Sequence, residues 1–128
     1  MIAKMETTLG RYEFFDNYVV ATFSEGVEVG RDCAPEIIHL LNSKMKKRFG
    51  WVSNKINSYS ADPFIMLDVI PAVPRLASYC GVVYGKESRD YTKYGRLLVP
   101  KGFPLASFNI LSDAIAWTVN MASRDESI

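Results

Sequence analysis

The run Leu76-Ala77-Ser78-Tyr79-Cys80-Gly81-Val82-Val83-Tyr84 constrains this chain more than any other. It is apolar almost throughout, so it lacks the alternation of a strand with one wet face. A run of this kind predicts a central strand covered on both sides. Covering two faces of a sheet takes helices, and helical patterns stand earlier and later in the chain. Strands that alternate with helices imply crossover units and a largely parallel sheet.

The chain opens with a strand pair. Arg11-Tyr12-Glu13-Phe14-Phe15 and Tyr18-Val19-Val20-Ala21-Thr22-Phe23 are rich in β-branched and aromatic residues. Asp16-Asn17 separates them, and both residues tolerate the positive φ of a two-residue hairpin turn. A helix is predicted from Cys33 to Arg48, with Asp32 as N-cap, Pro35 in the first turn and a stripe of Ala34, Ile37, Ile38, Leu41 and Met45. Lys44, Lys46, Lys47 and Arg48 gather at its end, where cations suit the helix dipole.

Trp51 to Ile56 reads as the next strand, with Trp51, Ser53 and Lys55 on one face and Val52, Asn54 and Ile56 on the other. A second helix is expected from Asp62, with Pro63 at its first position and Pro71 and Pro74 stopping it early. Lys86 to Arg96 is charged and reads as a short, partly exposed helix. Leu105 to Ile110 is the last strand, and Ser112 caps a last helix striped by Ala114, Ile115, Trp117, Thr118 and Met121. The predicted order is ββαβαβαβα, in one domain spanning residues 1–128. Its core covers about residues 8–121, followed by a frayed tail at 122–128.

Bulk properties exclude several function classes. A formal charge of +1 over 128 residues gives no field to draw nucleic acid or an acidic membrane. No 18-residue apolar run predicts a membrane span, and the N-terminal residues lack the apolar core of a signal peptide. Cys33 and Cys80 read as free thiols in a reducing compartment, which fits a cytoplasmic protein. His39 is the one histidine, so neither a metal site nor a Ser-His-Asp triad has support, and no cofactor is expected. The glycines form no phosphate-binding loop. The aromatics Phe14, Phe15, Trp51 and Tyr59 lack the basic strip that base stacking needs.

What remains is the junction where the third strand feeds the second helix, a position where open α/β sheets place working groups. It carries Asn57, Ser58, Tyr59, Ser60 and Asp62. One reading is a turn whose polar side chains bond the backbone. The other is a recognition or phosphorylation surface, although the Asp62 charge opposes a phosphate on Ser58 or Ser60.

The opening hairpin, the segment Trp51-Val52-Ser53-Asn54-Lys55-Ile56-Asn57-Ser58-Tyr59-Ser60-Ala61-Asp62-Pro63 and the ending Phe108…Asp113-Ala114-Ile115-Ala116-Trp117 together resemble the SpoIIAA-like branch of the STAS-like domains. These are relatives of bacterial anti-sigma-factor antagonists. The resemblance covers roughly residues 8–121. It implies a single mixed sheet of about five strands with helices mostly on one face. It also implies a non-enzymatic regulatory module that works through a protein partner, or in looser relatives through a lipid or nucleotide. In that family a serine beside an aspartate is phosphorylated to switch partner binding, a site that falls at Ser58–Asp62. This chain has Ser60-Ala61-Asp62-Pro63 in place of an Asp-Ser-x-Gly pattern.

Three functions follow as expectations. The first is an interaction module acting through Asn57–Asp62, with edge strands that leave a homodimer open. The second is a carrier of an apolar, lipid-like ligand in a cleft at Phe64, Met66 and Leu67 beside the short second helix. The third, an enzyme using Ser or Tyr hydroxyls with Asp62, lacks any feature that would tune a hydroxyl.

Overall fold

The computed structural model describes residues 1–84 and 99–124. Its elements are β1 (Ala3–Glu6), β2 (Gly10–Phe14), β3 (Tyr18–Phe23), β4 (Glu28–Val29), α1 (Ala34–Lys44), β5 (Phe49–Lys55), β6 (Ser60–Ala61), α2 (Ile65–Ala72), β7 (Leu76–Val83), β8 (Leu105–Phe108) and α3 (Leu111–Ser123). The helix expected over Lys86–Arg96 lies outside the described residues.

Six strands form one sheet in the order β1-β2-β3-β5-β7-β8. β1, β2 and β3 pair antiparallel, whereas β3, β5, β7 and β8 run parallel. This is an α/β fold with a mixed sheet, one strand wider than expected. The added strand is β1, whose alternating half-exposed pattern suits an edge. The short β4 and β6 pair separately, Glu28 with Ser60 and Val29 with Ala61.

Helix placement follows from topology. From β3 to β5 and from β5 to β7 the chain crosses to the next parallel strand in one direction along the sheet. Crossovers share one hand, so helices on successive steps in one direction fall on one face. α1 and α2 do pack together over Tyr12, Phe14, Val19, Phe23, Phe49 and Trp51. α3 follows the last strand and is free of that rule. It covers the opposite face, over β5 and β7, against Val20, Val52, Cys80 and Val82. β7 is accordingly buried along nearly its whole length, as its apolar run predicts.

Several local expectations need correction. Asp16-Asn17 does join β2 to β3, but among the described residues no residue other than glycine has positive φ, so the turn is made without the left-handed geometry. α1 ends at Lys44, because Met45 is extended, and Lys46, Lys47 and Arg48 lie past the helix. Lys47 instead holds Asp16 at 3.1 Å across the surface. Asp32 sits in a short 3-10 turn, Arg31–Cys33, and does not cap α1. α2 starts at Ile65, so Asp62 and Pro63 precede it, and Pro71 falls within its last turn rather than ending it. α3 continues to Ser123 with Ala122 buried, so the helix reaches into the segment expected to fray.

Two glycines are structural necessities. Gly10 has φ +148°, and a side chain there would meet the Thr22 carbonyl on the neighbouring strand. Gly50 lies under α3, and a Cβ there would run into Thr118 and the Ser78 hydroxyl. Its bare backbone sets how closely α3 approaches the sheet.

Candidate functional site

Beneath α1 and α2, at the carboxyl ends of β3 and β5, the packing leaves a partly open cavity of about 50 Å³. That is room for a few waters, taking about 10–15 Å³ for each. This is also the sheet edge at which parallel α/β folds bind ligands.

The floor comes from the sheet. Trp51, Ser53 and Lys55 alternate along β5 and face the cavity together, joined by Phe23 from β3 and Tyr79 from β7. The roof is aliphatic, with Ile37 of α1 and Ile65, Met66 and Val69 of α2. The side wall is the paired segment around β4 and β6, which contributes Val29, Tyr59 and Ala61.

Rings order this space. Trp51 and Tyr79 stack with planes 8° apart and centroids 6.4 Å apart, and Tyr59 meets Phe23 edge-on at 5.4 Å. Such contacts add to burial by about 0.5–1.5 kcal/mol per pair. The indole N–H of Trp51 donates to Ser53 Oγ at 2.7 Å, and Ser53 Oγ shares a hydrogen bond with the Tyr79 hydroxyl at 3.1 Å. The Lys55 ammonium lies 4.7 Å from the centre of the Tyr59 ring. That is cation–π range.

Burial shapes the protonation of these groups. It draws the Lys55 ammonium below the ordinary lysine range. It pushes the Tyr59 phenol up, with the nearby Tyr79 adding to the effect and Ser53 opposing it. Both shifts express the same cause, since a charge in this space has lost water. Among the described residues the lining holds no Asp, Glu, Asn or Gln side chain. The cavity is therefore aliphatic on its helix side and carries indole, hydroxyl and ammonium groups on its sheet side.

The residues singled out in the sequence divide sharply. Tyr59 and Met66 line the cavity. Asn57 is committed to structure, its amide donating to the Phe23 carbonyl at 2.9 Å. The Asp62 carboxylate accepts the Phe64 N–H at 2.9 Å and so supports the turn into α2. Ser58 and Ser60 are exposed, and the Ser58 backbone N–H donates to the Glu25 carboxylate at 2.9 Å. A phosphate on Ser58 would thus stand beside the Glu25 negative charge, with Asp62 four residues on. Phe64 and Leu67 face outward, each more than two fifths exposed, and do not line the cavity.

Ser53, Lys55, Trp51 and Tyr79 were not singled out as a set, although their signal exists in part. Trp51, Ser53 and Lys55 share one face of a strand by simple alternation. Tyr79 joins them only through the register Trp51↔Tyr79 of β5 and β7, which local sequence does not display. His39 is exposed on α1, and no group of three His, Cys, Asp or Glu side chains able to hold a metal occurs among the described residues. Both cysteines are free thiols. No described helix is long and apolar enough to cross a membrane.

Comparison of the chain with known families, with curated proteins and with solved structures returns no match.

Proposed function

We propose that this protein is a non-enzymatic binding module that takes a small, largely apolar ligand between its sheet and the α1–α2 layer. The observation that carries this reading is the cavity itself, with aliphatic side chains on one wall and a few convergent polar groups on the other. That combination is what small-molecule sites need: apolar area for affinity and sparse polar contacts for orientation. A STAS-like identity is part of the same reading. Its support is an opening hairpin followed by parallel strands with α1 and α2 on one face.

Native mass spectrometry of freshly purified protein tests the proposal. A bound small molecule is expected in the unmodified protein and is expected to be lost in Met66→Trp, whose ring fills the cavity from a half-buried position. Recovery of bare protein from both, together with equal thermal response of both to added short-chain apolar compounds, would sink it.

One further observation favours a second reading, a regulatory module that docks a protein partner at the β5–α2 junction. Ile56, Phe64 and Leu67 are large apolar side chains left exposed there, and surface residues of this kind cluster at contact sites. Capture from a native lysate by the unmodified protein, compared with Phe64→Ser and with Leu67→Ser, checks it. Equal recovery of every partner by all three proteins would count against this surface.

A further inference from the structure

We propose that β1 is the pairing edge of a homodimer, in which two copies of this chain add strand to strand, antiparallel, about a two-fold axis at Met5. The proposal stands apart from the cavity. It rests on the β1 backbone and on the charged side chains Lys4, Glu6, Arg11 and Glu13.

Backbone geometry shows which groups are free. Thr7 and Gly10 exchange both N–H···O bonds, at 2.8 and 3.2 Å. Bonded and non-bonded pairs alternate along an antiparallel ladder. In the register Met5↔Tyr12 and Ala3↔Phe14 the bonded pairs therefore fall at Met5 and Ala3. The backbone N–H and C=O groups of Lys4 and Glu6 point away from β2. Among the described residues β1 has no second neighbour in the sheet. An edge of this kind is a template for another strand.

Charge selects the strand and the register. Lys4 and Glu6 are exposed and share one face. On β2, Glu13 stands opposite Lys4 and Arg11 opposite Glu6, with Arg11 Nε 3.5 Å from the Glu13 carboxylate. Signs thus alternate both along and across the two strands. A second copy placed with its Met5 against Met5 extends the pattern, because Lys4 then meets the partner's Glu6 and Glu6 meets the partner's Lys4. One row reads Glu13, Lys4, the partner's Glu6, the partner's Arg11, and the sign changes at every step. Moving the axis to Lys4 sets lysine against lysine, and moving it to Glu6 sets glutamate against glutamate. Like charges directly opposite are destabilising. Charges on an edge ordinarily repel stray strands. Here their alternation rejects the neighbouring registers and admits this one. In it Lys4 and the partner's Glu6 exchange both backbone bonds, so the groups left free by β2 are satisfied in both copies.

Sedimentation of the full chain from about 1 μM to about 1 mM, the range of modest affinities, is expected to show monomer giving way to dimer. Lys4→Glu, or Glu6→Lys, sets like charges opposite one another on both sides of the axis and is expected to weaken association about tenfold or more. An equimolar mixture of the two variants is expected to recover it as a hetero-pair, because opposite signs meet again. Mixing would not repair a simple loss of folding. Cysteine cross-linking in a Cys33→Ser background reads the register. Met5→Cys puts two thiols opposite one another at a non-bonded pair, about 4.5 Å between Cα atoms, which a disulfide spans. Ala3→Cys faces the partner's Thr7 and not its own equivalent. Under mild oxidation Met5→Cys is expected to link about tenfold or more faster than Ala3→Cys. A monomer at every concentration, association indifferent to both charge variants, a mixture that fails to recover it, or equal linking at the two cysteine positions overturns the pairing.

Discussion

The face of the sheet under α1 and α2 is built from rings, with Tyr12, Phe14, Phe23, Trp51, Tyr59 and Tyr79 touching in sequence. The centre of the face under α3 is built from small groups: Val20, Val52, Cys80, Val82 and Ala114. Large flat side chains cover area quickly but tile poorly, and here they leave a cavity. Small side chains let a helix come close, and Gly50 removes even a Cβ from the contact. Close-packed interiors tolerate little added volume. One sheet thus carries a face whose packing leaves space and a face whose packing leaves none at Gly50.

Adding atoms to each face is the strongest way to break that comparison. Gly50→Val drives a branched side chain into Thr118 and Ser78, and it is expected to cost about 3 kcal/mol or to prevent folding, as overpacking at a tight contact does. Chemical denaturation measures it. A loss under about 1 kcal/mol would show that α3 can move away and that this face is not the tight one.

Thiol chemistry gives the next largest contrast. Cys80 is fully buried on the α3 face, its sulfur 3.3 Å from the Thr118 hydroxyl, and burial pushes its thiol up to about 11. Cys33 is partly exposed at the start of α1. With a disulfide reagent at neutral pH, Cys33 is expected to react at least about a hundredfold faster, since Cys80 must wait for an opening of the structure. Comparable rates would show that the α3 face opens readily.

A smaller effect is expected from Val69→Ile, which adds one methylene beside the cavity. It is expected to be neutral or to stabilise by up to about 1 kcal/mol, because the added group meets empty space. A clear loss of stability in thermal unfolding would mean that the cavity closes in solution.

The smallest effect concerns the latch between the two crossovers. Arg31 donates twice to Asp68, at 2.9 and 2.7 Å, on the surface. This contact draws the Asp68 carboxyl below its ordinary range. A depressed folded value means that the contribution is present above the unfolded pKa and is lost as pH falls through the folded one. Asp68→Asn is expected to lower the melting temperature slightly at neutral pH, and the difference is expected to vanish in acid. A difference that persists at low pH would assign the effect to something other than this pair.

Much of the sheet was legible because its inner strands are strongly marked. The hairpin of β2 and β3, the apolar β7 and the stripe of α3 all carry their pattern locally. β1 is not legible in the sequence because an edge strand buries little, and Ala3-Lys4-Met5-Glu6 alternates only weakly. Helix ends differ from the local pattern where burial outweighs propensity: Met45 turns extended after α1 and is fully buried. Of the candidate site, the junction and Tyr59 could be read in the chain. The polar cluster could not, since Tyr79 meets Ser53 across a parallel crossover of 26 residues. Phe64 precedes α2 and Leu67 stands on its outer face, because Ile65, Met66 and Val69 are the side chains that α2 turns toward the cavity.

The small ladder of β4 and β6 ties together the two segments that leave the ends of β3 and β5. Besides the paired residues, backbone bonds run from Gly26 to Ser58, from Ser60 to Val27 and from Asp62 to Val29, at 2.7 to 3.1 Å. These two segments form a single flap rather than two loops. Because Val29 and Ala61 are paired, opening either segment strains the other, and the two are expected to open together with the cost shared over several amides. The amide hydrogens of Ser60 and Asp62 would then exchange with solvent in step, although they lie on the outside of the molecule.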